Sequence, residues 1–135
     1  MKFDYLRLPN GVAYPAIRVQ LRKSPESQTF TGYALIDSGA DFCVFPKRLA
    51  AHIGIANIVN EKHVTAGGIG GKVNCYFHLV RINVGGSWIE IEVAFSPDYD
   101  GMPLLGRRGF FDNFTVYIDH PKQRIELDPV VSKAK

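Results

Sequence analysis

An acidic residue stands between an apolar stretch and a run of small residues in the segment Leu35-Ile36-Asp37-Ser38-Gly39-Ala40. The apolar stretch carries Asp37 towards the protein interior, where an unpaired carboxylate would be strongly destabilising. The small residues that follow let the backbone turn tightly and let another backbone or a ligand approach. Such a carboxylate is a candidate for acid–base chemistry. A plain Asp-Ser-Gly turn at the end of a strand is the alternative interpretation.

Two further segments have compositions that suit a binding site. Residues 67–71, Gly-Gly-Ile-Gly-Gly, predict a hairpin tip with the conformational freedom of a lid over a groove. An ordinary β-turn is the alternative, but it needs only one or two glycines. Further along the chain, Leu104-Leu105-Gly106 leads directly into Arg107 and Arg108. These three segments are the candidates for a functional site.

Other catalytic and metal-binding motifs do not occur in the sequence. The histidines lie 11, 15 and 42 positions apart, which is not the spacing of metal ligands. A phosphate-binding loop would need glycine at Ala66 and a hydroxyl residue at Val73. Cys43 is an alternative nucleophile, but no histidine lies near it in the sequence, and a packed thiol is the simpler interpretation. We therefore expect no metal and no cofactor.

Short strands dominate the predicted secondary structure. Ile17–Arg22 alternates apolar and polar residues, and Thr29–Ile36 is rich in β-branched and aromatic residues, so these segments predict a hairpin. Phe45–Gly54, with an early proline and a final glycine, is the predicted helix. Further strands are predicted near 60–66 and over Val73–Val84, Trp88–Phe95, Phe114–Ile118 and Arg124–Leu127. Many short strands with one or two short helices, the second near Arg107, indicate an all-β fold, either a small closed barrel or a sandwich.

The predicted strand Val73–Val84 is irregular in its apolar pattern. Cys75 and Phe77 are at odd-numbered positions, whereas Val80 and Ile82 are at even-numbered positions. Because side chains alternate between the two faces of a strand, this change predicts a bulge or a sharp bend.

Composition is that of an ordinary globular protein with one domain. The chain has 135 residues, of which 46% are hydrophobic and 21% charged. Sixteen basic and thirteen acidic residues give a net charge of +3, and the cations are scattered, so we expect no nucleic-acid partner. No apolar run is long enough to span a membrane. With two cysteines and no disulfide framework, we expect a cytoplasmic protein with reduced, buried thiols. A single bridge between Cys43 and Cys75 is the alternative.

Taken together, in this order and spacing, the three candidate segments resemble the retroviral-type (retropepsin-like) aspartic proteases. Residues 35–40 are similar to the active-site loop of that family, residues 67–71 to its flap tip, and residues 104–107 to its late apolar-Gly-Arg motif. The resemblance covers about residues 15–127. It implies the small closed β-barrel of that family. From the chain itself we expect a single domain over residues 1–127 and a disordered tail over residues 128–135.

The resemblance also implies an activity, that of an aspartic endopeptidase acting on a peptide or protein substrate. Asp37 would be the catalytic aspartate, and an activated water would attack the peptide bond without a metal or a covalent intermediate. Because the chain has only one Asp-Ser-Gly, the second carboxylate would be Asp37 of a second copy in a homodimer. Residues 66–72 would form a flap over an extended peptide, with the substrate-binding positions Ala66, Gly67, Gly68, Ile69, Gly70 and Gly71.

The same resemblance assigns supporting roles around the catalytic aspartate. The Ser38 hydroxyl would hydrogen-bond the backbone across the dimer axis and fix Asp37. Gly39 would orient the carboxyls through its backbone and, with Ala40, would line the cleft. Asp41 would pair with Arg107 and contact the substrate backbone. Arg108, the next residue, is expected to be a solvated surface side chain.

The chain departs from the viral enzymes at both ends. It has a longer stretch before Asp37 and extra residues after Leu127. Since interleaved chain ends hold the viral dimers together, these extensions leave the dimer mode open. A catalytically silent peptide-binding or dimerisation module with the same fold is the alternative function. The presence of Asp37, Ser38 and Gly39 together favours catalysis, because a binding module does not need a buried carboxylate pair.

Overall fold

Strands make up most of the computed structural model, which describes residues 1–68 and 71–131. These residues contain twelve strands and one helix, α1 (Lys47–His52). The strands are β1 (Lys2–Asp4), β2 (Leu6–Arg7), β3 (Ala13–Tyr14), β4 (Ala16–Arg22), β5 (Phe30–Ile36), β6 (Val44–Pro46), β7 (His63–Gly68), β8 (Gly71–Val84), β9 (Ser87–Ser96), β10 (Leu104–Leu105), β11 (Phe114–Asp119) and β12 (Arg124–Pro129).

Six of the strands close into a barrel in the order β4-β5-β10-β6-β9-β8, and β8 pairs back to β4. Along β4, the side chains of Ile17, Val19 and Leu21 are buried in the core and the residues between them are not. This alternation is the one read from the sequence, and it places one face of the strand inside the barrel. The closed barrel confirms the predicted all-β fold.

The single helix is shorter than the prediction over Phe45–Gly54. Pro46 still pairs as the end of β6, so α1 begins only after it. Residues 107–113 form turns and not a second helix, and the Phe111 N–H donates to the Gly106 carbonyl, five residues back, at 3.2 Å. Within the described parts of the chain, no helix has the length and hydropathy of a membrane span.

The β8 strand does not contain the predicted bulge. Its pairing with β9 runs over residues 76–84 without any offset. The buried residues change from odd-numbered to even-numbered positions because the two ends of β8 bury opposite faces. Val80 and Ile82 pack into the main core, whereas Cys75 and Phe77 pack into a second, smaller cluster. The change in the apolar pattern therefore reflects a change in which face of β8 is buried, and not the extra residue of a bulge.

The ends of the described chain meet in a second sheet, with the order β1-β12-β11. The amino group of Met1 donates to the Leu127 carbonyl at 2.8 Å, and the Leu127 N–H donates to the Met1 carbonyl at 2.8 Å. β12 continues to Pro129, past residue 127, where we predicted the domain to end. The remaining predicted tail residues, 132–135, lie outside the described residues.

Candidate active site

The apolar strand β5 and the short strand β10 lie side by side and hold the Asp37 loop. They are parallel, with Leu35 opposite Leu104 and Ile36 opposite Leu105. The Asp37 N–H continues this ladder by donating to the Leu105 carbonyl at 3.0 Å. β10 also pairs with β6, so it is inserted between the strands that precede and follow the loop. Two of the three candidate segments, far apart in sequence, therefore meet.

The turn after β5 fixes the orientation of the Asp37 carboxylate. Its Oδ1 accepts a hydrogen bond from the Gly39 N–H at 2.9 Å, and its carbonyl accepts one from the Ala40 N–H at 3.2 Å. Asp37 is half-buried, whereas Ser38 and Gly39 are exposed. The carboxylate is thus held by its own turn at a place that solvent, a ligand or another chain can reach.

Arg107 fastens the same loop from the β10 side. Its guanidinium donates to an Asp41 carboxylate oxygen and, at 3.3 Å, to the Ser38 carbonyl. Its backbone N–H donates to the Ala40 carbonyl at 2.9 Å. The predicted Asp41–Arg107 pair is therefore present, with both side chains more than half exposed.

Gly106 allows the close approach of the two segments. A Cβ atom at this position would overlap the carbonyl of Phe42 and would lie 2.9 Å from the carbonyl oxygen of Ala40. Since both obstacles are backbone atoms, only glycine fits here without moving the loop. This gives a steric reason for the glycine in the Leu104-Leu105-Gly106-Arg107 motif.

The predicted flap forms the antiparallel hairpin of β7 and β8. Ala66 pairs with Val73, Gly67 with Lys72, and Gly68 with Gly71. The predicted flap residues Ile69 and Gly70 lie outside the described residues. β7 is the last strand of its sheet, so one of its edges has no strand beside it in the described chain. An edge of this kind can accept an extended peptide as an added strand.

Tyr99 is a neighbour of the site that sequence reasoning missed. Its hydroxyl donates to the Met102 carbonyl, and its ring lies so close to Gly101 that a side chain there would clash with it. Burial, and then the negative charge of Asp37, raise the pKa of Tyr99. The phenol therefore lies near enough to Asp37 to sense its charge. The only sequence signal was an aromatic residue between two aspartates in the predicted loop of residues 97–103.

Arg108 is an exposed surface residue, as predicted, but it has neighbours that the sequence did not indicate. Its guanidinium lies 4.4 Å from the ring centre of Phe77 and 5.6 Å from that of Phe42. One of its nitrogens lies 3.7 Å from a carboxylate oxygen of Glu92. Arg108 is thus half exposed but packs on two aromatic rings beside the loop.

Cys43 does not have the environment of a nucleophile. Both Cys43 and Cys75 are free and buried, as predicted. Burial raises the pKa of Cys43 to about 11, so very little thiolate forms near neutral pH. Among residues 1–68 and 71–131, no group of three or more His, Cys, Asp or Glu side chains is placed to hold a metal ion.

Known proteins share both a sequence profile and a fold with this chain. The profile of the family described as aspartyl protease matches residues 27–108, more than half of the chain. A retropepsin-like aspartic protease from Rickettsia conorii is similar with a TM-score of 0.65 and 15% identity, over 93% of this chain and 97% of that one. The EIAV protease in complex with the inhibitor HBY-793 is similar with a TM-score of 0.54 and 21% identity, over 70% of this chain and 82% of that one. A search of curated proteins gave no significant match. At these identities, the two structures show a shared fold.

Proposed function

This chain belongs to the aspartyl protease family, and on that basis we propose that it is an endopeptidase that hydrolyses peptide bonds with a water activated by Asp37. The observation that carries the proposal is the way Asp37 is held. The Gly39 N–H orients its carboxylate, and the Leu105 carbonyl fixes its backbone at an exposed turn. Because its loop is already ordered, this carboxylate can act on a water molecule without a further loss of loop entropy.

We further propose that the active form is a homodimer, because one carboxylate cannot serve as base and acid in the same step. Two carboxylates about 3 Å apart, at an effective dielectric constant of about 20, repel by about 5 kcal/mol. That energy separates their two ionisations by several pKa units. One carboxyl then stays protonated and polarises the scissile carbonyl, while the ionised one takes a proton from water. The chain carries a single Asp-Ser-Gly, so a second Asp37 supplies the partner.

The exposed surface at the loop supports this assembly. Ser38 and Gly39 are exposed in the single chain, so a second copy can reach the loop. The terminal strand β1 already pairs with β12 of its own chain. We therefore expect the dimer contact to centre on residues 37–41 and to differ from one held by exchanged terminal strands.

The proposed substrate is an extended peptide segment. The free edge of β7 offers backbone N–H and C=O groups along residues 63–68, which suits main-chain pairing with a peptide strand. In this proposal the hairpin of β7 and β8 is the flap, and residues 66–72 cover the bound peptide.

Cleavage of a peptide library between pH 4 and 7 tests the proposal. Wild type should cleave and should be blocked by a statine-type inhibitor, and Asp37→Asn should abolish cleavage while leaving the melting curve unchanged. Cleavage that survives Asp37→Asn would assign the chemistry to other residues. A wild-type protein that binds peptides without cleaving any would support the silent binding module.

A further inference from the structure

The loop of residues 97–103, between β9 and β10, is joined to the flap hairpin through one carboxylate. Asp98 Oδ2 accepts a hydrogen bond from the backbone N–H of Asn74 at 2.8 Å and another from its side-chain nitrogen at 3.0 Å. Asn74 lies in the β8 arm of the hairpin, opposite Thr65 of β7. Two donors on one carboxylate hold the arm in one orientation more strictly than a single bond would.

The second strand of the hairpin is linked to the same point. The Asn74 Oδ1 lies 2.9 Å from Nε2 of His63, the first residue of β7. Because the side-chain nitrogen of Asn74 faces Asp98, its oxygen is left to accept from the imidazole. Both arms of the hairpin therefore connect to Asp98 through one amide.

The other end of the 97–103 loop reaches the candidate catalytic aspartate. The Leu35 N–H, two residues before Asp37, donates to the Pro103 carbonyl at 2.7 Å. The loop leads directly into β10, where the Leu105 carbonyl accepts a hydrogen bond from the Asp37 N–H at 3.0 Å. Asp98 is thus the point at which the flap hairpin is fastened to a loop that borders Asp37.

We propose that Asp98 is a positioning residue that sets the flap hairpin relative to Asp37, so that a peptide paired with the hairpin presents its scissile bond at the carboxylate. This inference rests on the proposed protease function. It predicts that loosening the contact weakens the capture of substrate more than it slows the chemical step, because Asp98 bonds Asn74 of the hairpin and not Asp37.

A second negative charge placed across the contact provides the test. Asn74→Asp places a carboxylate against that of Asp98, and we expect KM for a fluorogenic peptide to rise about tenfold with a smaller change in kcat. The double variant Asn74→Asp with Asp98→Asn restores a donor and an acceptor, and its KM should return to within about threefold of wild type. Asp98→Ala, which removes the acceptor without adding charge, should raise KM in the same direction if Asn74→Asp does not fold.

Asp100→Asn is the matched control, since Asp100 lies in the same loop but pairs with Arg48 of α1 at 2.9 Å. Its KM should equal that of wild type. Hydrogen exchange of residues 63–68 and 71–76 provides a readout that does not need activity. Exchange should be faster in Asn74→Asp and normal in the double variant.

Unchanged KM and unchanged exchange in Asn74→Asp and Asp98→Ala would overturn the positioning role, as would failure of the double variant to recover. If wild type cleaves no peptide, the proposed protease function fails, and the exchange comparison alone then decides whether Asp98 holds the hairpin.

Discussion

Removal of the Arg107 side chain should weaken the dimer far more than it weakens the single chain. In one chain the Arg107 side chain is 57% exposed and that of Asp41 is 76% exposed. An ion pair as exposed as this contributes less than about 1 kcal/mol to folding. In the proposed dimer a second copy covers the loop, and Arg107→Ala leaves the Asp41 carboxylate without its partner in the contact. Loss of one partner from a buried pair costs about 3 kcal/mol or more, and because a symmetric dimer contains the pair twice, the dimer should be weaker by at least about 100-fold.

Sedimentation over a dilution series measures the dimer constant, and urea unfolding at low concentration measures the single chain. Arg48→Ala is the matched control. The Arg48 side chain is 58% exposed and pairs with Asp100 in the 97–103 loop. It should lower the free energy of unfolding by less than about 1 kcal/mol and leave the dimer constant unchanged. Equal dimer constants for Arg107→Ala and Arg48→Ala would refute the reasoning.

Two further predictions concern stability. Gly106→Ala should lower the free energy of unfolding by about 3 kcal/mol or more in urea, because its methyl group would press on the backbone of Phe42 and Ala40. Gly67→Ala is the control, because no atom lies within 4 Å of the added carbon, and it should lower the free energy of unfolding by less than about 1 kcal/mol. If Gly106→Ala and Gly67→Ala lower it equally, the loop and β10 are not packed as described. Burial raises the pKa of Cys43 from 9.0 to about 11, so the folded chain holds the thiol proton more tightly than the unfolded chain. This stabilisation is complete below pH 9 and is lost as the pH rises from 9 to 11. Over that range the free energy of unfolding of wild type should fall by about 3 kcal/mol more than that of Cys43→Ala, and parallel curves would contradict the prediction.

The long strands of the barrel could be predicted because each has a buried face along several residues. β4 and β9 have regular alternation over much of their length, and their predicted and observed bounds are close. β6 and β10 could not be found in this way. β6 has three residues and β10 has two, which is too few to show the alternation of apolar and polar residues that marks a strand. Yet β10 supports Asp37, and only the Leu104-Leu105-Gly106-Arg107 motif indicated its importance.

The candidate site was predictable where it depends on local sequence or on the family motif, and not where it depends on other distant contacts. The turn at Asp37 and the Asp41–Arg107 pair could be inferred from residue types and the family motif. The stacking of Arg108 depends on Phe77, which lies on the distant strand β8. The contact between Asp98 and Asn74 joins a polar loop to a hairpin, and neither segment has a pattern that indicates the other.

Mixing wild type with Asp37→Asn tests most directly whether two Asp37 side chains form one catalytic centre. The total protein concentration is held constant above the dimer constant, and the subunits are allowed to exchange. If each active unit needs Asp37 from both chains, an equal mixture should retain about one quarter of the wild-type rate, because only dimers with two wild-type chains are active. A rate of about one half would show that each chain acts alone and would contradict the account.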